Sequence, residues 1–402
     1  MKSLIAIAAT FASLAAGAQT PADSTATDSV QGFIFTDVIS VPGTSVKNQH
    51  RSGTCWCFSG ASFVENEIRK NGGDSLDLSE MFVVRKCYDE KADRYVRMYG
   101  ETAFSPGGSV MDVPYVIAKY GIVPEDAYPG LNYGEENHTH GEYHGALEGL
   151  VKNVVSKPDR KITTAWRRAF DGIQDAYLGE EPQTFTSGGK TYTPRSYADA
   201  LPFDADDYIL VTSFTHHPFY KPFVLEVADN WLWADYQNVP LDELKAIVDN
   251  ALENGYSVLW AADVSEGGFK WTDGVALMPK GKEEGDMTGT ELARWVTLST
   301  RERQAEKYDF KEPVPEIEVT QELRQEMFDS QETTDDHGMV IEGTATDQNG
   351  NRYYKVKNSW DTNQKYGGYL YVSEPYFLAK TVDVMVNKKA VPKDIARKLG
   401  LK

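Results

Sequence analysis

Three segments of this 402-residue chain carry side chains suited to nucleophilic catalysis. Cys55 follows Gln49 by six residues, and an aromatic residue, Trp56, comes directly after it. His337 and Asn358 lie far downstream, in that order. A thiol, an imidazole and a carboxamide arranged in this way are the parts of a cysteine nucleophile system. The pattern predicts an enzyme that forms a covalent intermediate on Cys55.

Each of these side chains has its own predicted role. Cys55 opens a predicted helix, whose dipole favours a thiolate, and a neighbouring imidazolium on His337 would lower the pKa of the thiol further. Asn358 would accept a hydrogen bond from the ring and fix its orientation. Trp360 would shield that bond from water. Gln49 and the backbone N–H of Cys55 would donate to the carbonyl oxygen under attack.

The elements that must position these residues change character along the chain. Helical periodicity dominates the first part, where helices are predicted from Cys55, Met81 and Ser109. Strand patterns dominate from residue 208 onward, with one amphipathic helix among them. The predicted strands are 208–215, 223–231, 256–264, a hairpin over 338–360 that turns at Asn349-Gly350, 367–373 and 382–388. The chain is therefore predicted to be α+β, with the site between a helical and a strand-rich half.

The N-terminus has the pattern of a secretory signal. Lys2 precedes an apolar stretch from Leu4 to Ala16, and Ala16-Gly17-Ala18 resembles a cleavage site. The apolar stretch is shorter than the ~20 residues of a spanning helix, which disfavours a membrane anchor. We expect the mature chain to begin at Gln19 and to be periplasmic or extracellular.

Charge and cysteine content limit the other options. A net charge of −19 disfavours nucleic acid and anionic membranes as partners. The chain has three cysteines. Cys55 and Cys57 would point in opposite directions on one helix and cannot readily pair. A disulfide between Cys57 and Cys87 stays an open alternative, and it would leave Cys55 as the reactive thiol.

The chain resembles the papain-like cysteine peptidases, in particular the bleomycin hydrolase or aminopeptidase C branch. The separation of Cys55 and His337 is about twice that of compact members, which favours this branch over the lysosomal type. The segments that carry the resemblance are Gln49 with Cys55-Trp56, Leu78-Ser79-Glu80, Pro106-Gly107-Gly108, Gly121-Ile122-Val123-Pro124, the aspartate before His337, Asn358-Ser359-Trp360 and Gly367-Gly368-Tyr369.

The resemblance implies a two-lobed α+β fold with long insertions. An N-terminal helical lobe would carry Cys55, and a C-terminal antiparallel, β-barrel-like lobe would carry His337 and Asn358. The predicted boundaries are a signal peptide at 1–18, a leader at 19–39 and a peptidase domain at 40–402, made of a helical lobe (40–130), a helical insertion (131–205), the start of the β lobe (206–264), a second insertion (265–330), and the rest of the β lobe with a C-terminal tail (331–402).

The resemblance also implies an activity, which is hydrolysis of peptide bonds through an acyl-enzyme on Cys55, with trimming of peptides from the N-terminus. Backbone at Gly107 and Gly108 would pair with an extended peptide substrate, and Trp360 would border the same site. No cofactor or metal is implied. The branch forms homo-oligomers of six subunits, so a hexamer is expected here on the same ground.

Alternatives to aminopeptidase action stay open. In the branch a C-terminal tail lies in the cleft and limits cleavage to N-termini. Residues 386–402 resemble only the start of that tail, which favours an endopeptidase as the alternative. Acyl transfer to amines uses the same machinery, and a retired peptidase acting as a binding scaffold is a further alternative, disfavoured by the intact set of catalytic residue types.

Two histidine-rich stretches are weaker candidates. His138, His140 and His144 offer metal-binding side chains, two of them one helical turn apart. A polar surface loop is the favoured interpretation, since no further Cys or His lies nearby in the sequence. His216-His217-Pro218 is likewise interpreted as a loop.

Overall fold

The computed structural model of the protein describes residues 32–156, 161–282 and 284–401. The predicted signal peptide and leader residues 19–31 lie outside this range. The α-helices are α1 (Cys55–Lys70), α2 (Glu80–Arg97), α3 (Asp112–Tyr120), α4 (Gly141–Val155), α5 (Ala165–Leu178), α6 (Pro194–Ala198), α7 (Leu241–Glu253), α8 (Gly289–Trp295), α9 (Thr300–Lys307), α10 (Gln321–Asp329), α11 (Glu374–Lys380) and α12 (Lys393–Lys398).

The strands alternate with these helices. They are β1 (Thr36–Ser40), β2 (Phe185–Ser187), β3 (Lys190–Tyr192), β4 (Tyr208–Thr212), β5 (Pro222–Val224), β6 (Asp235–Asn238), β7 (Val258–Ala262), β8 (Phe269–Lys270), β9 (Val275–Ala276), β10 (His337–Thr346), β11 (Arg352–Lys357), β12 (Tyr369–Ser373) and β13 (Thr381–Asn387). Within the described ranges, no helix is both long and apolar enough to cross a bilayer.

Helix α1 is the central element of the fold. Its residues from Trp56 to Ile68 are buried, including the polar side chains of Glu65 and Asn66. Burial on all sides is expected of a helix that packs between other layers rather than at the surface. The helix ends where Asn71 donates its backbone N–H back into the last turn, just before Gly72 with φ of 86°.

In the described part of the chain, eleven strands form one large mixed sheet. Its order is β5-β6-β4-β13-β7-β10-β11-β12-β9-β8, with β1 paired to β10. Most pairs are antiparallel, whereas β12 with β9 and β4 with β6 are parallel. The α+β class expected from the sequence is therefore present. The barrel-like detail of that expectation is not confirmed, since the described strands form an open sheet.

The two faces of this sheet separate two hydrophobic cores. Leu259 and Val340 pack into the core of the helical half, together with α1 and α2. Their neighbours Trp260 and Met339 pack into a second core with α7 and α11. This alternation follows from the two-residue period of a strand, so both faces of β7 and β10 are buried. The arrangement fixes the start of β10 against α1.

The structure departs from the sequence expectation at 223–231. A strand was expected across this whole segment, but β5 ends at Val224. The Asn230 side chain instead closes a loop, because its Oδ1 accepts from the backbone N–H of Ala234 at 2.8 Å and its Nδ2 donates to the Leu225 carbonyl at 3.1 Å. The loop carries Asp229.

The cysteine alternatives are also resolved by the structure. Cys55, Cys57 and Cys87 are all free, so the disulfide between Cys57 and Cys87 that the sequence left open is not formed. Cys57 and Cys87 are buried, whereas Cys55 is partly exposed.

Candidate active site

Cys55 lies at the N-terminal end of α1, which no side chain caps. Thr54 occupies the N-cap position without a side-chain hydrogen bond to the helix, and its hydroxyl donates to Ser52 Oγ at 2.7 Å instead. No side chain therefore competes for the Trp56 amide in the first turn. The Cys55 sulfur accepts hydrogen bonds from the backbone amides of Gly338 and Trp56. The first of these places the sulfur beside the residue that follows His337.

His337 and Asn358 meet because they occupy neighbouring strand ends. His337 begins β10 and Asn358 directly follows β11, the antiparallel partner of β10. The His337 Nε2–H donates to Asn358 Oδ1 at 2.7 Å. The Ser359 backbone N–H donates to the same oxygen at 2.7 Å, so the carboxamide is held in one orientation. With Nε2 engaged, Nδ1 is the ring nitrogen left to exchange a proton with a thiol.

Trp360 covers this hydrogen bond. Its ring centroid lies 4.5 Å from that of His337. Trp271 packs edge-on against Trp360 at 5.5 Å and Phe269 does so at 6.0 Å, so Trp360 is itself supported by aromatic neighbours. His337 and Asn358 are both buried.

Gln49 is joined to the strand segment that carries Asn358. Its backbone N–H donates to the Ser359 carbonyl at 2.8 Å, and its Oε1 accepts from Ser359 Oγ at 2.7 Å. Because the amide oxygen is taken by Ser359, Nε2 is the end available as a donor to a substrate oxygen. Residues from opposite ends of the chain thus converge around Cys55.

Burial disfavours the charged form of Cys55 and of His337 when each is considered on its own. It raises the pKa of Cys55 to about 12, even though the Gly338 amide acts in the opposite direction. It lowers the pKa of His337 to about 4, against the effect of the Asn358 hydrogen bond. An isolated charge on either group is therefore disfavoured. A proton moved from the sulfur to the ring would instead create two opposite charges, each of which favours the other.

The predicted substrate-binding glycines lie next to an acidic side chain that the sequence interpretation missed. The Gly108 backbone N–H donates to the carboxylate of Asp229. A Cβ atom on Gly107 would lie 2.3 Å from Asp229 Oδ2, so only glycine admits this approach. Asp335, two residues before His337, also acts electrostatically on the Cys55 thiol. Asp335-Asp336 is visible in the sequence, whereas no sequence signal placed Asp229 here.

The histidines of the first insertion do not form the polar surface loop expected from the sequence. His138 and His140 are buried, and burial lowers the pKa of His138 to about 4 and that of His140 to about 3. His144 Nδ1 lies 3.2 Å from the Tyr88 hydroxyl. Among the described residues, His138, His140 and His144 do not bring their ligand atoms together as a metal site would require.

A different group of potential ligands does come together in the described residues: His216, His217 and Glu226. Glu226 accepts from His216 Nε2 at 3.1 Å and from His217 Nε2 at 2.7 Å. The Gln325 Oε1 is engaged by the Thr215 backbone N–H, so its Nε2 donates to His216 Nδ1. That bond assigns the ring proton to His216 Nε2, which then donates to Glu226 and has no lone pair for a metal. The arrangement is satisfied without an ion.

Comparisons with known proteins find similarity to cysteine peptidases. A family model described as papain family cysteine protease matches residues 38–171, and one described as peptidase C1-like family matches residues 283–401. Aminopeptidase C of Lactobacillus delbrueckii subsp. lactis is 24% identical over 401 residues, covering 89% of this chain and 83% of the relative. Bleomycin hydrolase of Rattus norvegicus is 24% identical over 415 residues, covering 91% and 86%.

A solved structure shows the same fold. The crystal structure of PepW from Lactobacillus rhamnosis superposes with a TM-score of 0.64 at 19% identity, covering 91% of this chain and 84% of that one.

Proposed function

The chain is a papain-like cysteine peptidase of the bleomycin hydrolase and aminopeptidase C branch, and from this premise we propose that it trims peptides from their N-termini through an acyl-enzyme on Cys55. The observation that supports the chemistry most directly is the 2.7 Å bond between His337 and Asn358 beside a sulfur that accepts from the Gly338 amide. The names of the relatives, aminopeptidase C and bleomycin hydrolase, support the N-terminal specificity.

The proposed reaction has two stages, formation of the acyl-enzyme and its hydrolysis. Cys55 Sγ passes its proton to His337 Nδ1 and attacks the scissile carbonyl carbon, and the carbonyl oxygen becomes an oxyanion. Gln49 Nε2 and the Cys55 backbone N–H donate to that oxyanion. His337 then gives its proton to the leaving amine, which leaves a thioester on Cys55. Water, deprotonated by His337, hydrolyses the thioester and restores the thiol.

A pair of fluorogenic substrates tests the specificity. The purified enzyme is given an amino acid coumarylamide with a free amine and the same compound with an acetylated amine, under reducing conditions. We expect turnover of the free amine only, and none by Cys55→Ala. Equal turnover of the acetylated compound would favour the endopeptidase alternative. Product analysis with an added amine acceptor separates hydrolysis from acyl transfer.

We also propose that the protein is exported and that it assembles as a homo-oligomer. The first proposal is supported by Lys2 and the apolar stretch from Leu4 to Ala16. N-terminal sequencing of the protein recovered from its source should start at Gln19. The second is supported by the branch it resembles, and light scattering on the purified enzyme should give the mass of six chains.

A further inference from the structure

Two half-buried carboxylates flank the catalytic thiol without taking part in the proposed chemistry. Asp229 and Asp335 both act on Cys55 electrostatically. Both remain partly open to solvent, as Cys55 does. Burial, followed by the charges of Asp229 and Asp336, raises the pKa of Asp335 to about 7. Burial also raises the pKa of Asp229. Neither carboxylate is sealed off from solvent.

Two further carboxylates, which are more deeply buried, each have one oxygen without a hydrogen-bond partner. Asp112 and Asp383 are both almost completely buried. Asp112 Oδ2 accepts from the Trp231 Nε1–H at 2.7 Å, but its Oδ1 has no partner. Asp383 Oδ1 also has no partner, and the charge of Asp335 acts on this group. A buried carboxylate oxygen without a donor costs free energy unless a positive group or donor reaches it.

The cations near this cluster direct their hydrogen bonds elsewhere. Lys91 Nζ donates to the backbone carbonyls of Ser105 and Gly107. Arg324 donates to the carbonyls of Ser213 and Leu378. The carboxylates therefore outnumber the positive charges around them and lack a hydrogen-bonded cation. This is a site prepared for a positively charged group of the ligand.

The position of Asp229 also limits how far a substrate can extend. A peptide that ran along Gly107 and Gly108 would need the Gly108 backbone N–H as a donor, and Asp229 already accepts that hydrogen bond. The space that a side chain at Gly107 would fill is occupied by the same carboxylate. A substrate that extended past the residue whose carbonyl is attacked would therefore meet the Asp229 carboxylate instead of a free strand edge.

We propose that Asp229 and Asp335 bind the free α-ammonium group of the substrate's first residue and thereby set the cut one residue from the N-terminus. This inference rests on the proposed function and assigns its specificity to particular residues. The α-nitrogen is two bonds from the attacked carbonyl carbon, about 2.5 Å away. Its partner must therefore lie close to the thiol, and Asp229 and Asp335 are near enough for their charges to act on Cys55.

The test uses Asp229→Asn and Asp335→Asn, which keep the shape of the side chain and remove its charge. Asp204→Asn is the matched control, because Asp204 also accepts a backbone amide, that of Asp206 at 3.0 Å, at a turn before β4. Each variant is given the free-amine and the acetylated coumarylamide. Thermal unfolding and alkylation of Cys55 by iodoacetamide verify that each variant is folded and carries its reactive thiol.

We expect kcat/KM for the free amine to fall about 10- to 100-fold in both Asp variants, since a charge-assisted hydrogen bond is lost. Turnover of the acetylated compound should stay level or rise, and Asp204→Asn should match the parent enzyme. An amino acid amide with a free amine should inhibit the parent more strongly than the two variants.

The outcomes separate this inference from the proposed function. If the parent enzyme does not prefer the free amine, the aminopeptidase proposal itself fails. If the parent prefers it and both folded Asp variants keep the preference, only the assignment to Asp229 and Asp335 is wrong. A last comparison uses acetylated dipeptide substrates with Arg or Leu before the cleaved residue. If the parent prefers Arg and the Asp variants lose that preference, the carboxylates bind a substrate side chain rather than the α-ammonium group.

Discussion

The indole of Trp360 lies over the imidazole of His337, with ring centroids 4.5 Å apart and planes tilted by 38°. The indole therefore covers the His337 ring and the hydrogen bond that the ring makes to Asn358. Burial of this kind is the main reason that the pKa of His337 is lowered to about 4. The neutral ring can then accept a proton at mildly acidic as well as neutral pH.

Replacing Trp360 by Ala should shift the acidic limb of the pH–activity profile to higher pH. Opening the ring to water removes the burial that lowers the pKa of His337, so that pKa rises toward the ordinary value of about 6.5. Since the base works only when neutral, kcat/KM at pH 5 should fall more than at pH 7.5. The pH dependence of kcat/KM checks this, with Trp271→Phe as a control that keeps an aromatic support. An unshifted limb would contradict the explanation.

Ser359→Ala should reduce turnover by releasing Gln49. The Ser359 hydroxyl holds Gln49 Oε1 at 2.7 Å, which leaves Nε2 for the oxyanion. Without it the carboxamide is free to rotate, and we expect a loss of about tenfold in kcat, below the ~10²–10³ expected for Gln49→Ala. The two substitutions should be less than additive when combined, because both act on one donor. Full additivity would mean that Ser359 acts by another route.

His337→Ala should make Cys55 unreactive at neutral pH. Burial is the largest of the effects that raise the pKa of the thiol to about 12, and without the ring no group takes its proton. Because the thiolate is the nucleophile, alkylation by iodoacetamide at pH 7 should slow at least 100-fold and recover as pH rises. Intact mass follows the reaction, since Cys57 and Cys87 are buried. Asn358→Ala, which keeps the ring, should retain faster alkylation than His337→Ala.

The buried pair of Glu342 and Lys357 should be needed for stability. Their charged atoms lie 2.6 Å apart, and Glu342 also accepts from Asn66 Nδ2 at 2.7 Å and from the Tyr369 hydroxyl at 2.8 Å. Glu342→Leu leaves the Lys357 charge buried and unpaired, at a cost of about 3–5 kcal/mol in the free energy of unfolding. The double variant with Lys357→Met should recover much of that loss. Urea denaturation measures both, and equal losses in the single and double variants would refute the pairing argument.

Local patterns predicted the elements that carry the site. The helix from Cys55 and the hairpin that turns at Asn349-Gly350 were both predicted, because apolar periodicity and turn chemistry are local properties. Once His337 and Asn358 lie on adjacent antiparallel strands, their contact follows. The open form of the sheet was not predictable in the same way, since β9 and β12 pair in parallel across a long insertion.

Asp229 shows what sequence patterns could not supply. The alternation in the segment around it resembles a strand, but the Asn230 side chain bonds within its own segment and turns the backbone into a loop. Competition between side-chain amides and backbone ladders depends on the whole neighbourhood. Its position beside Gly107 and Gly108 is a tertiary contact that no local pattern encodes.

The distance along the chain between the nucleophile and its base has a consequence for biosynthesis. During translation the segment with Cys55 emerges long before the hairpin that supplies His337 and Asn358. Until then the thiol has neither a proton acceptor nor a completed sheet beside it. A nascent polypeptide that lacks this hairpin is therefore inert toward peptides, and the ability to cut arises only once the hairpin has been made.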